Sequence, residues 1–550
     1  MGTTVKLLIV TDGDGAFDQD LPHRFGLTTL LGALRSNVQD GMTYDIKTAH
    51  RYPKAQYPQA ESADFDHFTF DASFNIAKYD ELWLFGIASS NPQGHYNDPP
   101  GFALTDAEVA IVHQFMNDGG GVFATGDHDD LGRDLCGKIN RVRSMRRWEF
   151  DYVAAGADYS GYDEDSNFSP PAMGVFRHST INKGANGRYE FDNQSDDIPQ
   201  TIEPVITTLQ SGSPVASIIT RFPHPLLCGT DGVISVLPDH MHEGQCEIPA
   251  VLDPQEYPPF GGHPLSPQIV AWENIIGRSA MGPTDPGKPS GYDDNENLAS
   301  DRAACIAAWD GQVVNHGRVV VDSTFHHFVD VNFLGVGIDI THNWAADETA
   351  KTLGLANSTS PDGILAYKHI RQYFRNIALW LAPASKQLEF GVSWIRRASL
   401  DPRISKTIGT AHGIEGKIRF GGGMRTMMKS FLPDCATMGV SSVGVPDPLS
   451  IILGHWYILL TLPDPPPYLN VRELAIDVAL LSQFSLGAAG VAVNQLVRTR
   501  PLLPDRELLP SIRKAAGTGV EQLLKSQIEG LRKSAGIAEL ALSSLKQESH

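Results

Sequence analysis

The chain has 550 residues, too many for one ordinary domain, and its 41% apolar and 20% charged content is enough for a packed core. Gly 52 and Pro 36 supply many loops without low complexity, which excludes collagen-like, coiled-coil and wholly disordered classes. Charge is uneven, with 25 basic and 50 acidic residues in 1–383 against 19 and 14 in 384–550. A phosphate backbone needs a basic footprint, so no nucleic-acid partner is expected.

The apolar run Val5–Thr11 reads as a buried first strand rather than a signal peptide, because it is short and ends in Asp12-Gly-Asp14-Gly15. His23–Leu34 has helical spacing of Phe25, Leu27, Leu30, Leu31 and Leu34. Tyr79–Gly86 is a second buried strand. Thr105 caps a helix with the apolar stripe Val109, Val112, Phe115 and Met116, and Asp106 and Glu108 suit its positive end. Gly119-Gly-Gly121 ends that helix, and Gly121–Thr125 is the next strand, expected at the centre of the sheet. Strand, helix, strand at this spacing predicts a parallel sheet.

Residues 150–310 carry dense turn signals and read as insertions covering one end of the sheet. Order returns at Cys305–Asp310 and Gly317–Asp322, and a helix is predicted over Leu365–Ala382, stopped by Pro383. The domains are therefore placed at 1–383, with insertions over about 150–300, and at 384–550, mostly helical from 470. The stretch Leu474–Val497 is interrupted by Asp477, Gln483 and Asn494, so a buried helix is expected and no membrane span. Such a helix needs a partner surface, either the first domain or a second copy of the chain, so a homo-oligomer through 384–550 is one expectation. Five scattered cysteines without a CxxC pair fit a reducing, cytoplasmic setting.

In an open parallel sheet, ligands bind beyond the carboxyl ends of the strands. Three such ends carry reactive residues: Asp12 and Asp14, then Thr125-Gly-Asp-His-Asp-Asp130, then Asp322-Ser-Thr-Phe-His-His327. Each could simply end a strand or cap a helix, but together they would converge on one rim. His128 is the candidate general acid/base, oriented by Asp127 or Asp129, since imidazole titrates near working pH. Adjacent residues of an extended chain face opposite ways, so only one of His326 and His327 is expected to join a site, and the later is favoured as a second acid/base or ligand because the strand should already be leaving the sheet there. A fourth cluster, Pro238-Asp-His-Met-His-Glu-Gly244, follows a predicted strand Gly232–Leu237. His240 and His242 could hold a divalent metal, zinc or iron, with Glu243 as a base or an outer-shell partner. A solvated histidine-rich turn is the alternative. The basic run Arg141–Arg147 reads either as a site for an anionic substrate or as a solvated, ion-paired face.

Tyr79–Gly86, the Thr105 helix and the Gly119–His128 block resemble ThuA-like (trehalose-utilisation) proteins of the class I glutamine amidotransferase-like superfamily. Trp309-Asp-Gly and His316–His327 look like that family's last strand pair, which ends in a histidine, and the helix with Phe374, Ile377, Ala378 and Trp380 is similar too. The resemblance covers about 200 residues of 1–383 in pieces. It implies an α/β fold with a flavodoxin-like, mainly parallel sheet. Glutamine amidotransferases carry a cysteine nucleophile on the turn after this strand. Here Asp127-His128 occupies that turn and Cys136 lies eight residues later, so cysteine-dependent glutamine hydrolysis is not expected. The expected function is an enzyme acting on a small polar substrate, sugar-like or an amide, as a hydrolase, lyase or isomerase, with metal assistance as an option. The alternative is a non-catalytic binding or assembly protein with 384–550 as its contact surface.

Overall fold

The computed structural model describes residues 3–13, 15–17, 25–36, 42–53, 55, 62–71, 74–88, 103–127, 131–147, 200–213, 216–229, 232–238, 245–260, 262–278, 298–334, 354–359, 361–386 and 478–500, with isolated positions at 416–417 and between 507 and 533. A 9-stranded sheet organises them. Its strands are β1 (Thr3–Thr11), β2 (Met42–His50), β3 (Glu81–Phe85), β4 (Gly121–Thr125), β5 (Gln200–Pro204), β6 (Val236–Leu237), β7 (Gln268–Arg278), β8 (Leu298–Trp309) and β9 (Val319–Asp322). In space they run β6-β5-β7-β8-β9-β4-β3-β1-β2. The five from β9 to β2 are mutually parallel. The other four join β9 through antiparallel pairings. The architecture is α/β with a mixed sheet, parallel where the reactive strand ends lie and antiparallel on one flank.

The parallel strands are apolar on both faces, as a sheet covered on both sides requires. Leu7, Ile9, Trp83, Phe85, Phe123 and Val320 face one core, while Leu8, Val10, Leu82, Leu84, Val122, Ala124, Val319 and Val321 face the other. The first core is closed by α1 (Thr28–Arg35), with Leu30, Leu31 and Leu34. The long helix Pro361–Leu381, with Tyr373, Phe374 and Ile377, completes that layer. The second core is closed by α2 (Asp106–Asn117), α3 (Arg133–Cys136) and α4 (Val142–Met145). Thr105 starts α2 with a capping box: its hydroxyl accepts from Glu108 N, and Glu108 reaches back to Thr105 N. The same Glu108 carboxylate takes Arg51 Nη1 at 2.8 Å in a buried ion pair, so one side chain both opens the helix and ties it to the strand-end segment after β2. A fifth helix, α5 (Asp330–Leu334), follows β9, so Pro361–Leu381 is α6.

Three features differ from the sequence expectations. Strand β2 carries a weak sequence signal because its polar Thr43, Asp45 and Lys47 alternate with half-buried Tyr44 and Ile46, the pattern of an edge strand whose outer side is met only by an isolated bridge from Ala49 to Phe65. The region 150–310 does more than cover an end of the sheet. It supplies β5 to β8, whose polar Glu273, Asn274, Ser300 and Asp301 hid the strand signal. The predicted strand Gly232–Leu237 is split: Gly232–Val233 pairs with Cys228–Gly229, and only Val236–Leu237 joins the large sheet. In the C-terminal region, α7 (Val478–Thr499) is described, with Ala488, Ala489, Val493 and Val497 buried and Gln495 and Arg498 exposed. Among the described residues, no helix is long and apolar enough to cross a membrane.

Candidate functional site

The five parallel strands end level. Thr11 is paired with His50 and Phe85, Phe85 with Thr125, and Thr125 with Asp322. From β1 the chain proceeds to β2 on one side, and β3 is laid on the other. The β1/β3 boundary is therefore a topological switch point, where loops diverge and leave a crevice. Asp12 sits on that boundary, buried, with Oδ1 accepting from Ile87 N at 2.6 Å and Ala88 N at 2.9 Å. This carboxylate fastens the loop after β3 to the end of β1.

Glycines let the loops close over one another. Gly132 has φ +85°, and a Cβ there would lie 2.5 Å from Gly86 O and 2.9 Å from Gly126 Cα. Gly132 N donates to Ala88 O at 2.9 Å, and Asp127 N donates to Leu131 O at 3.1 Å. The turn after β4 thus folds back against the turn after β3, and Asp127 is carried at its root with no exposed surface.

The segment after β9 is not extended. Phe325–His327 forms a single 3-10 turn, opened by Thr324, whose hydroxyl accepts from His326 N at 3.0 Å. Phe325 N donates to Gly126 O at 2.9 Å, which joins this turn to the one after β4. The turn sends the two histidines different ways. His326 Nε2 lies 2.7 Å from Asp127 Oδ2, and the residue is 4% exposed. Its ring stacks on Phe325 at 4.7 Å and meets the edge of Phe25 at 5.8 Å. His327 points into the core instead. Its Nδ1 is 2.9 Å from Asp322 Oδ1, and Tyr373 donates its hydroxyl to Asp322 Oδ2 at 3.0 Å. All three side chains are fully enclosed. Burial first, then the Asp322 charge, pushes the Tyr373 hydroxyl well above the usual tyrosine range, so it stays a donor.

His326, rather than the favoured His327, is the histidine that reaches Asp127. The two rings do diverge, but the choice of the later one fails because the chain enters a 3-10 turn at Phe325 instead of leaving the sheet extended. The signal that identifies the turn is Ser323-Thr324 directly after the strand, a hydroxyl pair suited to capping. Of the other residues singled out, Asp127 is in place. His128, Asp129, His240, His242 and Glu243 lie outside the described residues. Among the described residues, no group of three or more His, Cys, Asp or Glu side chains is placed to hold a metal ion.

The basic run is not a solvated face. Arg141 is buried under Trp309, 4.6 Å from the ring centroid, with its Nε donating to Glu256 O. Among the described arginine side chains of the run, only Arg143 reaches solvent, pairing with Glu256 at 3.3 Å. Arg146 is fully buried at the rim itself. Its Nη2 donates to Asp127 O at 2.8 Å and to Ser323 O at 2.7 Å. Cys136 ends α3, enclosed, with Sγ 3.5 Å from Thr125 O. Burial pushes its thiol far up, which suits a structural thiol and not a nucleophile.

No family model matches the chain. No curated protein matches it. A solved structure, a cytoplasmic protein from Salmonella typhimurium, is similar at 10% identity over 57% of this chain and 87% of that one, with a TM-score of 0.19. A likeness at that score carries no argument about fold or function.

Proposed function

We propose that the chain is an enzyme that moves a proton on a small polar substrate, sugar-like or an amide, at the rim above β4 and β9, with His326 as acid/base and Asp127 as its partner. One observation carries this reading: the 2.7 Å contact between His326 Nε2 and Asp127 Oδ2, from two strands whose ends are in register. A carboxylate beside an imidazole fixes the ring and stabilises its protonated form, which suits a group that takes and returns a proton. His128, the neighbour of Asp127, keeps its proposed role as acid/base at the elbow.

The strand order β2-β1-β3-β4, continued by β9, supports a flavodoxin-like arrangement and with it the ThuA-like resemblance. Fold alone does not give a reaction, so hydrolase, lyase and isomerase chemistry all remain within the proposal. A divalent metal enters it only at His240 and His242, and metal content of the purified chain and of the H240A/H242A variant tests that part. The proposal also includes a homo-oligomer through 384–550, which light scattering of the full chain and of 1–383 tests.

A non-catalytic role has one observation in its favour, the near-complete enclosure of the pair. The experiment that separates the readings is a screen of chromogenic glycosides and amides with the parent, H326N and D127N. Loss of about 100-fold or more in rate in both variants is expected for an acid/base pair. Turnover by H326N at the parent's rate would reject the acid–base reading.

A further inference from the structure

Beyond Thr125 and Asp322 the β4/β9 ladder ends, yet the contact that matters lies further out, between residue 127 of one loop and residue 326 of the other. Strand pairing cannot set that distance. Phe325 N to Gly126 O is a backbone link across the gap. A second link among the described residues is Arg146, which touches both loops with one guanidinium: Nη2 to Asp127 O and Ser323 O, and Nε to Ser323 O at 3.2 Å.

The chain takes trouble to put Arg146 there. It follows α4, and Arg146–Arg147 pairs antiparallel with Gln245–Cys246. Cys246 is in turn pressed against β8 and β9, with Sγ 3.5 Å from Cys305 O and 3.6 Å from Val321 O. A buried charge is costly unless its donors are used. Here the Nε and Nη2 donors are spent on the carbonyls of the two residues that flank the site, Asp127 and Ser323. A planar fork can hold two acceptors at a fixed separation, which a flexible ammonium cannot.

We propose that Arg146 is the positioning residue of the His326–Asp127 pair, setting the separation of the two strand-end loops so that the imidazole meets the carboxylate. The assignment rests on the acid–base reading of that pair, but its test does not use turnover. R146K keeps the positive charge and loses the fork. R146Q loses the charge and keeps two N–H donors. Both are made in the full chain labelled at histidine nitrogens, and the titration of His326 is followed by NMR, with the His326 signal assigned by its loss in H326Q.

The expected result is a His326 midpoint at least one pH unit lower in R146K, a tenfold loss of proton affinity, with R146Q closer to the parent. A His326 midpoint within about 0.2 unit of the parent in R146K, even with a lowered melting temperature, would overturn the proposal and leave Arg146 a purely structural staple. Failure of both variants to fold would overturn it in the same way. Retained turnover in H326N would instead defeat the acid–base reading while leaving the titration readable, so the two failures stay distinct.

Discussion

Glu81 opens β3 with its side chain on the same face as Trp83, fully buried in the core under α1 and α6. Oε2 accepts from Trp83 Nε1 at 2.9 Å, and Oε1 has no hydrogen-bond partner among the described residues. Burial holds its carboxyl well above the usual range, against the smaller pull of the Trp83 N–H. The folded chain therefore keeps a proton that the unfolded chain releases above about pH 4.5. Stability falls as pH rises from there until the folded group ionises, by up to about 1.4 kcal/mol per pH unit for this one residue. Between pH 4.5 and 6.5 the loss reaches at most about 2.7 kcal/mol. Glu81→Gln removes the titration and keeps an oxygen for Trp83. The variant should match the parent within about 1 kcal/mol near pH 4.5, since a neutral acid and an amide cost about the same to bury. It should then become progressively more stable than the parent as pH rises. Urea unfolding of both proteins across pH 4.5–7.5, read by tryptophan fluorescence, gives the difference curve, in which all other titrating groups cancel. A flat difference would show that Glu81 is not carried as the neutral acid.

Three further outcomes follow from local geometry. His326→Ala leaves the Asp127 carboxylate buried without its imidazole, and loss of one partner of a buried pair costs about 3–5 kcal/mol. Adding Asp127→Asn should return part of that, and strict additivity in the double-mutant cycle by urea unfolding would refute the coupling. Asp330 caps α1 from 302 residues away, accepting from Thr28 N and Oγ1 at 2.6 Å each and Thr29 N at 2.8 Å. Asp330→Ala should cost about 1–2 kcal/mol, while Asp330→Asn, which still offers one oxygen, should cost less by the same assay. Gly132→Ala places a methyl against Gly86 O at a positive φ. It should lower the melting temperature and reduce turnover more than Gly32→Ala, whose Cβ meets nothing.

The elements read most plainly from sequence are those whose local signals agree with their burial. Val5–Thr11, Tyr79–Gly86 and Gly121–Thr125 are continuous apolar runs because parallel strands are covered on both faces, and the structure has β1, β3 and β4 there. Thr105 and Glu108 spell a helix start that the structure reproduces as a full capping box. Strand β2 was not legible because an edge strand carries polar residues on the face that needs no cover, and β5 and β7 were not because polar residues such as Glu203 and Glu273 interrupt their apolar runs. Their alternation is then diluted by turns.

The site was half legible for a different reason. A rim of strand ends can be located from strand order, which explains why the segments after β4 and β9, with Asp127 and the His326-His327 dipeptide, were expected at one rim. Which of two adjacent histidines faces the rim depends on three φ/ψ pairs in a turn that Thr324 caps through its hydroxyl, and residue type alone leaves those angles open. Arg146 was legible only as part of a basic run. Its burial follows from the pairing of Arg146 with Cys246, a contact across about 100 residues of intervening chain that composition cannot register. The catalytic candidates therefore come from local motifs, while the residues that hold them in place come from long-range pairing. The same division explains why His327, the more conspicuous end of the motif, is spent on anchoring the turn to Asp322 and Tyr373. With His327 fixed in the core, the turn has one remaining histidine to present, and the presented side is the one that faces Asp127.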